Sequence, residues 1–113
     1  MNKVYENRPW GDFIRYTNNE PSTVKIITVL PNQSLSLQYH HDRQEFWKVL
    51  KGNPVLIIGE KEIEAKEGEE FFIEKEMRHR ISSRDEKVEI LEISIGNFSE
   101  EDIVRIDDVY GRK

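Results

Sequence analysis

Apolar and polar residues alternate in short runs along most of the chain, and proline, glycine or asparagine closes several of them. The runs extend over Asp12 to Tyr16, Thr23 to Leu30, Ser34 to His41, Glu45 to Leu50, Val55 to Ile58, Lys61 to Ala65, Glu70 to Glu74, His79 to Ser82 and Val88 to Ile95. Alternation with period two marks a strand with one face turned to a core, and nine such runs at this spacing predict a sandwich or barrel. Gly59-Glu60 sits between two of them with glycine first, where a type II′ hairpin turn needs a positive φ. Pro31-Asn32, Lys51-Gly52-Asn53-Pro54 and Glu67-Gly68-Glu69 close other runs. Near the end, Ser99-Glu100-Glu101-Asp102 places a hydroxyl before three acids, a helix-start pattern, so one short helical turn is expected there.

Composition supports the pattern. Ile and Val number 21 against 7 for Leu and Ala, and β-branched side chains suit pleated sheets, so the class is all-β. A length of 113 residues fits one domain, 1–113. The net charge of −5 argues against nucleic acid as a partner and requires any anion pocket to be local. No window approaches the ~20 apolar residues of a membrane span and the first residues carry no signal-type apolar run, so a cytoplasmic protein without membrane contact is expected. The absence of cysteine removes disulfides and thiolate metal sites. Eight glutamates between Glu60 and Glu76 read as a solvated rim.

Chemistry is concentrated in three histidines, His40, His41 and His79. In a strand, Gln38 and His40 share one face while Tyr39 and His41 take the other. Asp42-Arg43-Gln44 then reads as a tight connection, after which Glu45 opens the next strand and brings a carboxylate beside the first pair. His79 completes a set of one amide oxygen, two imidazole nitrogens and one carboxylate, a mixed donor set suited to a borderline divalent ion. Solvated or hydrogen-bonded histidines near a turn are the alternative.

The spacing resembles the two cupin motifs. The first is matched by Asn32, five residues, Gln38-Tyr39-His40, four residues, Glu45, six residues and Gly52, and the second by Gly68, five residues, Glu74-x-Glu76, two residues and His79. More specifically, the chain resembles the type II phosphomannose isomerase family, a cupin domain found alone or at the C-terminus of bifunctional mannose-1-phosphate guanylyltransferases. The stretches that carry the resemblance run collinearly: Arg8-Pro9-Trp10-Gly11, Val24-Lys25-Ile26-Ile27, Leu35 to His40, Arg43 to Trp47, His79-Arg80, Glu101 to Arg105 and Asp107 to Arg112. Asp42, Phe46 and Ser94 depart from the family's His, His and Gln, and Asn32 replaces a glycine.

The resemblance implies a cupin double-stranded β-helix, a jelly-roll barrel, and assigns Gln38, His40, Glu45 and His79 to one metal ion. Zinc is favoured by the family, and manganese, cobalt, nickel or iron would also suit nitrogen and oxygen donors. It further implies a mannose-6-phosphate isomerase that moves a proton between C1 and C2 of a sugar phosphate. Glu92 is the first candidate base if its side chain points inward, opposite Leu91 and Ile93; an ordinary outward strand residue is the alternative, and His41 and Asp42 are other possible bases. Arg105 is the first candidate for gripping phosphate or a polarised sugar oxygen, with Lys25, Arg43 and Arg80 as further substrate cations. Trp47 shares the parity of Glu45 and is expected inside; Trp10 and Tyr110 could border a sugar or simply pack. Competing functions are a non-catalytic metal cupin that binds a sugar phosphate or sugar nucleotide, and an iron oxygenase. A homodimer is expected from the resemblance.

Overall fold

A computed structural model describes residues 1–112. It contains eleven strands: β1 (Val4–Arg8), β2 (Gly11–Arg15), β3 (Ser22–Val29), β4 (Leu37–Tyr39), β5 (Arg43–Lys51), β6 (Val55–Ile58), β7 (Lys61–Glu64), β8 (Glu70–Ile73), β9 (His79–Ser82), β10 (Val88–Gly96) and β11 (Val104–Asp107). They form a four-stranded sheet ordered β3-β10-β5-β8, a five-stranded sheet ordered β11-β4-β9-β6-β7, and a separate β1-β2 hairpin. The pairs between named strands are all antiparallel. The expected all-β fold is present, with two sheets enclosing the interior as in a jelly roll.

Alternation located the strands well where one face is buried. Val55–Ile58 and His79–Ser82 match to the residue. Gly59 turns the β6-β7 hairpin with φ 63°, as a type II′ turn requires, and Asn32 takes φ 59° after Pro31. Two strands were not expected. β1 joins β2 in the hairpin, and β11 occupies the segment that follows the predicted helical turn. That turn is a correction: Asp102 N–H does bond the Ser99 carbonyl (3.1 Å), but the chain then extends and pairs with β4 instead of continuing as a helix. Among the described residues no helix is long and apolar enough to cross a membrane.

The interior is divided along the strands. On β10 the inward residues run Val88, Ile90, Glu92, Ser94, and on the antiparallel β5 they run Arg43, Glu45, Trp47, Val49; all eight are buried. One end of each strand therefore feeds an apolar core and the other end a polar chamber. The core comprises Val29, Trp47, Val49, Leu56, Ala65, Ile73, Ile81, Val88 and Ile90. Complete burial of one such aliphatic side chain stabilises the fold by about 1.5–3 kcal/mol, enough collectively to carry polar groups at the far end.

Candidate metal centre

The register lines up the polar chamber row by row. In the five-stranded sheet Arg105 lies opposite Gln38 and Gln38 opposite His79, so three strands place three side chains in one lateral row. In the four-stranded sheet one row is Lys25, Glu92, Trp47 and Phe71, and the next is Thr23, Ser94, Glu45 and Ile73. Glu45 and Glu92 are thus diagonal neighbours on adjacent strands, close enough to influence each other's charge. His40 ends the run that begins with Gln38, just beyond β4.

His40, Glu45 and His79 offer ligand atoms that all lie within 4.8 Å of one another, and all three residues are buried. Glu45 Oε2 is 3.2 Å from His40 Nε2, and Glu45 Oε1 is 3.5 Å from His79 Nε2. The hydrogen bonds assign the tautomers. His40 Nδ1 lies 2.5 Å from the Asp102 carbonyl, which can only accept, so Nδ1 carries the hydrogen. At its other nitrogen, Nε2 is 3.1 Å from Arg43 Nη2, which can only donate. The Nε2 lone pair therefore faces the chamber and accepts from Arg43, whose place a cation would have to take. His79 Nδ1 likewise donates to the Met77 carbonyl (3.0 Å), freeing its Nε2 toward Glu45. Imidazoles oriented through the remote nitrogen by a carbonyl are the usual outer support of metal ligands.

These donors fit a divalent cation. Gln38 lines the same cavity, and its amide N–H reaches the Ser36 carbonyl at 3.5 Å. Arg43 is a competitor for two of the donor atoms, because its Nε also donates to Glu45 Oε2 (3.2 Å). Its Nη1 donates to the Ser99 carbonyl (3.1 Å) and its guanidinium stacks on Phe98. Trp47 Nε1 donates to Glu45 Oε1 (3.1 Å), and its ring meets His79 edge-on, so the expected interior tryptophan is part of the site wall.

The two buried carboxyls are driven apart. Burial alone would raise Glu45, but the close approach of the His40 and His79 imidazoles and the Arg43 guanidinium outweighs it and holds the carboxyl at about 2. Burial, joined by the negative charge of Glu45, pushes Glu92 up to about 7, against weaker opposition from the Ser94 hydroxyl (3.0 Å), Lys25 and Arg43. Burial also lowers His79, with Glu45 opposing. One carboxylate is therefore fixed as an anion, while the other can take or release a proton near neutrality.

A cavity of about 340 Å³ opens onto these groups, and Lys25, Arg43, Arg105 and Arg112 share its lining with Gln38, His40, Glu45, His79 and Glu92. Five of the candidates named from the sequence lie elsewhere. His41 points outward beside Tyr39 and pairs with Glu76 (3.7 Å), as strand parity demands. Arg80 alternates away from inward His79 and Ile81 and pairs with Asp107 (3.1 Å). Asp42 is exposed and its N–H is held by Asp102 (3.0 Å). Trp10 is 73% exposed at the β1-β2 turn, and Tyr110 bonds Gln33 on the surface. Arg112 was not anticipated: the C-terminal tail folds back over the cavity, where Asp108 holds it through bonds of 2.8 and 3.0 Å.

Comparison with known proteins agrees with this architecture. Solved structures with the same fold include a cupin protein from Bacteroides fragilis (TM-score 0.61, 20% identity, 69% of this chain and 68% of that one). Oxalate decarboxylase from Bacillus subtilis superposes with TM-score 0.69 at 19% identity over 77% of this chain and 24% of that one. Among sequences, the xanthan biosynthesis protein XanB of Xanthomonas campestris pv. campestris is 38% identical over 97% of this chain and 24% of its own length. The mannose-1-phosphate guanylyltransferase ManC of Salmonella typhimurium is 37% identical over 93% of this chain and 22% of its own. The chain spans about a quarter of the length of the curated relatives it matches. The family model described as mannose-6-phosphate isomerase C-terminal matches residues 1–108, and together with the cupin fold this makes the chain a member of that family.

Proposed function

We propose that this chain is a metal-dependent aldose-ketose isomerase that interconverts mannose 6-phosphate and fructose 6-phosphate. The observation that carries the reading is the convergence, on one cavity, of an oriented His40–Glu45–His79 donor set, a carboxyl poised near neutrality and several cations. Its volume of about 340 Å³ falls within the range of small-ligand sites. Gln38, His40, Glu45 and His79 would hold the cation, for which zinc is the first choice and manganese, cobalt, nickel or iron are alternatives. When bound, such an ion supplies a Lewis acid that polarises the sugar oxygens at C1 and C2.

The remaining work belongs to the chain. Glu92, as carboxylate, accepts the proton from C2 of the aldose, and as carboxylic acid returns it to C1 of the resulting enediol, while the O2 hydroxyl proton passes to O1. Its value of about 7 keeps both protonation states accessible at neutral pH. Lys25, directly opposite Glu92 on β3, steadies the carboxylate and offers a charge to the substrate. Arg105, which has no ion-pair partner among the described residues, and Arg112 supply phosphate recognition on an otherwise acidic chain. Trp47 and Phe98 exclude water from the polar end.

The test is turnover. Purified protein given each divalent cation in turn should convert mannose 6-phosphate to fructose 6-phosphate, and a chelator should stop it. Absence of turnover with every metal would overturn the isomerase reading, and saturable sugar-phosphate binding without turnover would replace it with a binding module.

A further inference from the structure

Asp102 reaches the site by two routes at once. Its backbone carbonyl accepts the His40 Nδ1 hydrogen at 2.5 Å. Its carboxylate accepts the N–H of His41 at Oδ1 (2.9 Å) and the N–H of Asp42 at Oδ2 (3.0 Å). Three consecutive residues that join β4 to β5 are therefore held by a residue some sixty positions later, in a segment outside any strand. Near Asp102 that segment is itself held by local bonds, Asp102 N–H to the Ser99 carbonyl and Ile103 N–H to the Glu101 carbonyl, and by Arg43 donating to the Ser99 carbonyl. Without the carboxylate, two successive backbone donors lose their acceptor and the carbonyl loses the anchor that keeps it beside the imidazole.

We infer that Asp102 is the positioning residue of the centre: its carboxylate clamps the His40–Asp42 connection so that its own carbonyl can select the His40 tautomer with Nε2 unprotonated. The inference deepens the metal reading and rests on it for function, but the tautomer is a property of the protein alone. Aspartate suits the role because one ionised side chain offers two oxygens to two successive N–H groups, which asparagine cannot do and alanine cannot approach. It also gives the acidic Ser99-to-Asp102 motif a use that does not require a helix.

The full-length chain and the variants Asp102→Ala, Asp102→Asn and Asp107→Ala are compared by long-range ¹⁵N–¹H correlation of the histidine rings and by titration with Co²⁺ under optical detection. Wild type should show His40 protonated at Nδ1. Asp102→Ala should shift the ring toward the Nε2–H form, weaken Co²⁺ binding ~10–100-fold and alter the cobalt spectrum. Asp102→Asn should lie between the two, and Asp107→Ala, on the same segment with its side chain exposed and paired to Arg80, should match wild type. All spectra are taken well below each variant's unfolding midpoint, so that loss of fold is not mistaken for loss of aim. An unchanged His40 tautomer in Asp102→Ala overturns the inference, whatever cobalt does. If wild type binds no Co²⁺, the metal reading fails separately, and the ring tautomers still decide on Asp102.

Discussion

The two faces of the four-stranded sheet differ by one residue along each strand and by nearly everything in chemistry. The inner row Lys25, Glu92, Trp47, Phe71 lies beside the outer row Val24, Ile93, Phe46, Phe72. Inside, a buried carboxyl sits beside a partly exposed cation; outside, an unbroken apolar row crosses the sheet, with Ile93 and Phe46 covered by Met1 and Tyr16 while Val24 remains 60% exposed. The usual partition is apolar within and polar without. Here it is inverted at the polar end of the chamber, and only there, since Val88, Ile90 and Val49 restore it at the other end of the same strands. Sheet register therefore governs chemistry as much as stability, because a slip of one residue would turn Glu45 and Glu92 outward and the greasy row inward.

Four substitutions separate the faces, in descending order of effect. Glu45→Ala should abolish metal retention, measured by elemental analysis, and destabilise the fold by about 3–5 kcal/mol, because it leaves the Arg43 charge buried without its acceptor. On the other face, Phe46→Ala should cost a similar ~3–5 kcal/mol in denaturant unfolding yet leave metal content of the folded protein unchanged. Comparable loss of metal in both would erase the distinction between the faces.

The third is Glu92→Gln, which reads as a pH effect. The folded-state value of about 7 exceeds the ordinary 4.5, so between these pH values the native state holds a proton that the unfolded chain has released. Stability from this group is thus highest below about 4.5 and is lost as pH rises to about 7, by up to about 3 kcal/mol. Glu45 acts in the opposite sense: its value of about 2 gives stability above 4.5 that disappears as pH falls toward 2. Unfolding curves at pH 5 and pH 8 with chelator present should show Glu92→Gln relatively more stable at pH 8, with isomerase turnover lost at both. A variant that tracks wild type in the ratio of the two midpoints would mean Glu92 titrates like an exposed carboxyl. The smallest effect is expected from Val24→Thr, within about 0.5 kcal/mol and without change in metal or turnover, since this side chain is exposed on the outer row.

Much of this division was legible in period-two alternation. Parity alone put Gln38 with His40, sent His41 to the other side, and placed Trp47 with Glu45, because a strand offers only two directions. Parity left Glu92 open, since apolar Leu91 and Ile93 on the other face could equally have been the inner ones; sharing a face with the core residues Val88 and Ile90 turns it inward. What could not be read locally was closure by distant chain. Nothing near positions 40 to 42 announces Asp102, and nothing within Asp108 to Arg112 announces the cavity; both follow from β11 pairing with β4 over a long loop. The same closure explains why helix-start residues there do not make a helix, since tertiary pairing overrides a local preference worth about 1 kcal/mol. Arg80 shares a motif with His79 but not its face, since alternation between inward His79 and Ile81 points it outward. β1 was missed because an isolated hairpin with no buried residue leaves little periodic trace.

Gly96 closes β10 at φ 113°, and a methyl group on it would sit 2.9 Å from the Asp42 carbonyl oxygen. The loop bearing the imidazole is consequently wedged between a hydrogen atom on one side and the Asp102 clamp on the other. In a saturation screen for activity, position 96 would score as intolerant as a ligand although it owns no functional group, and a reader of that screen would do well to look for the neighbour it makes room for.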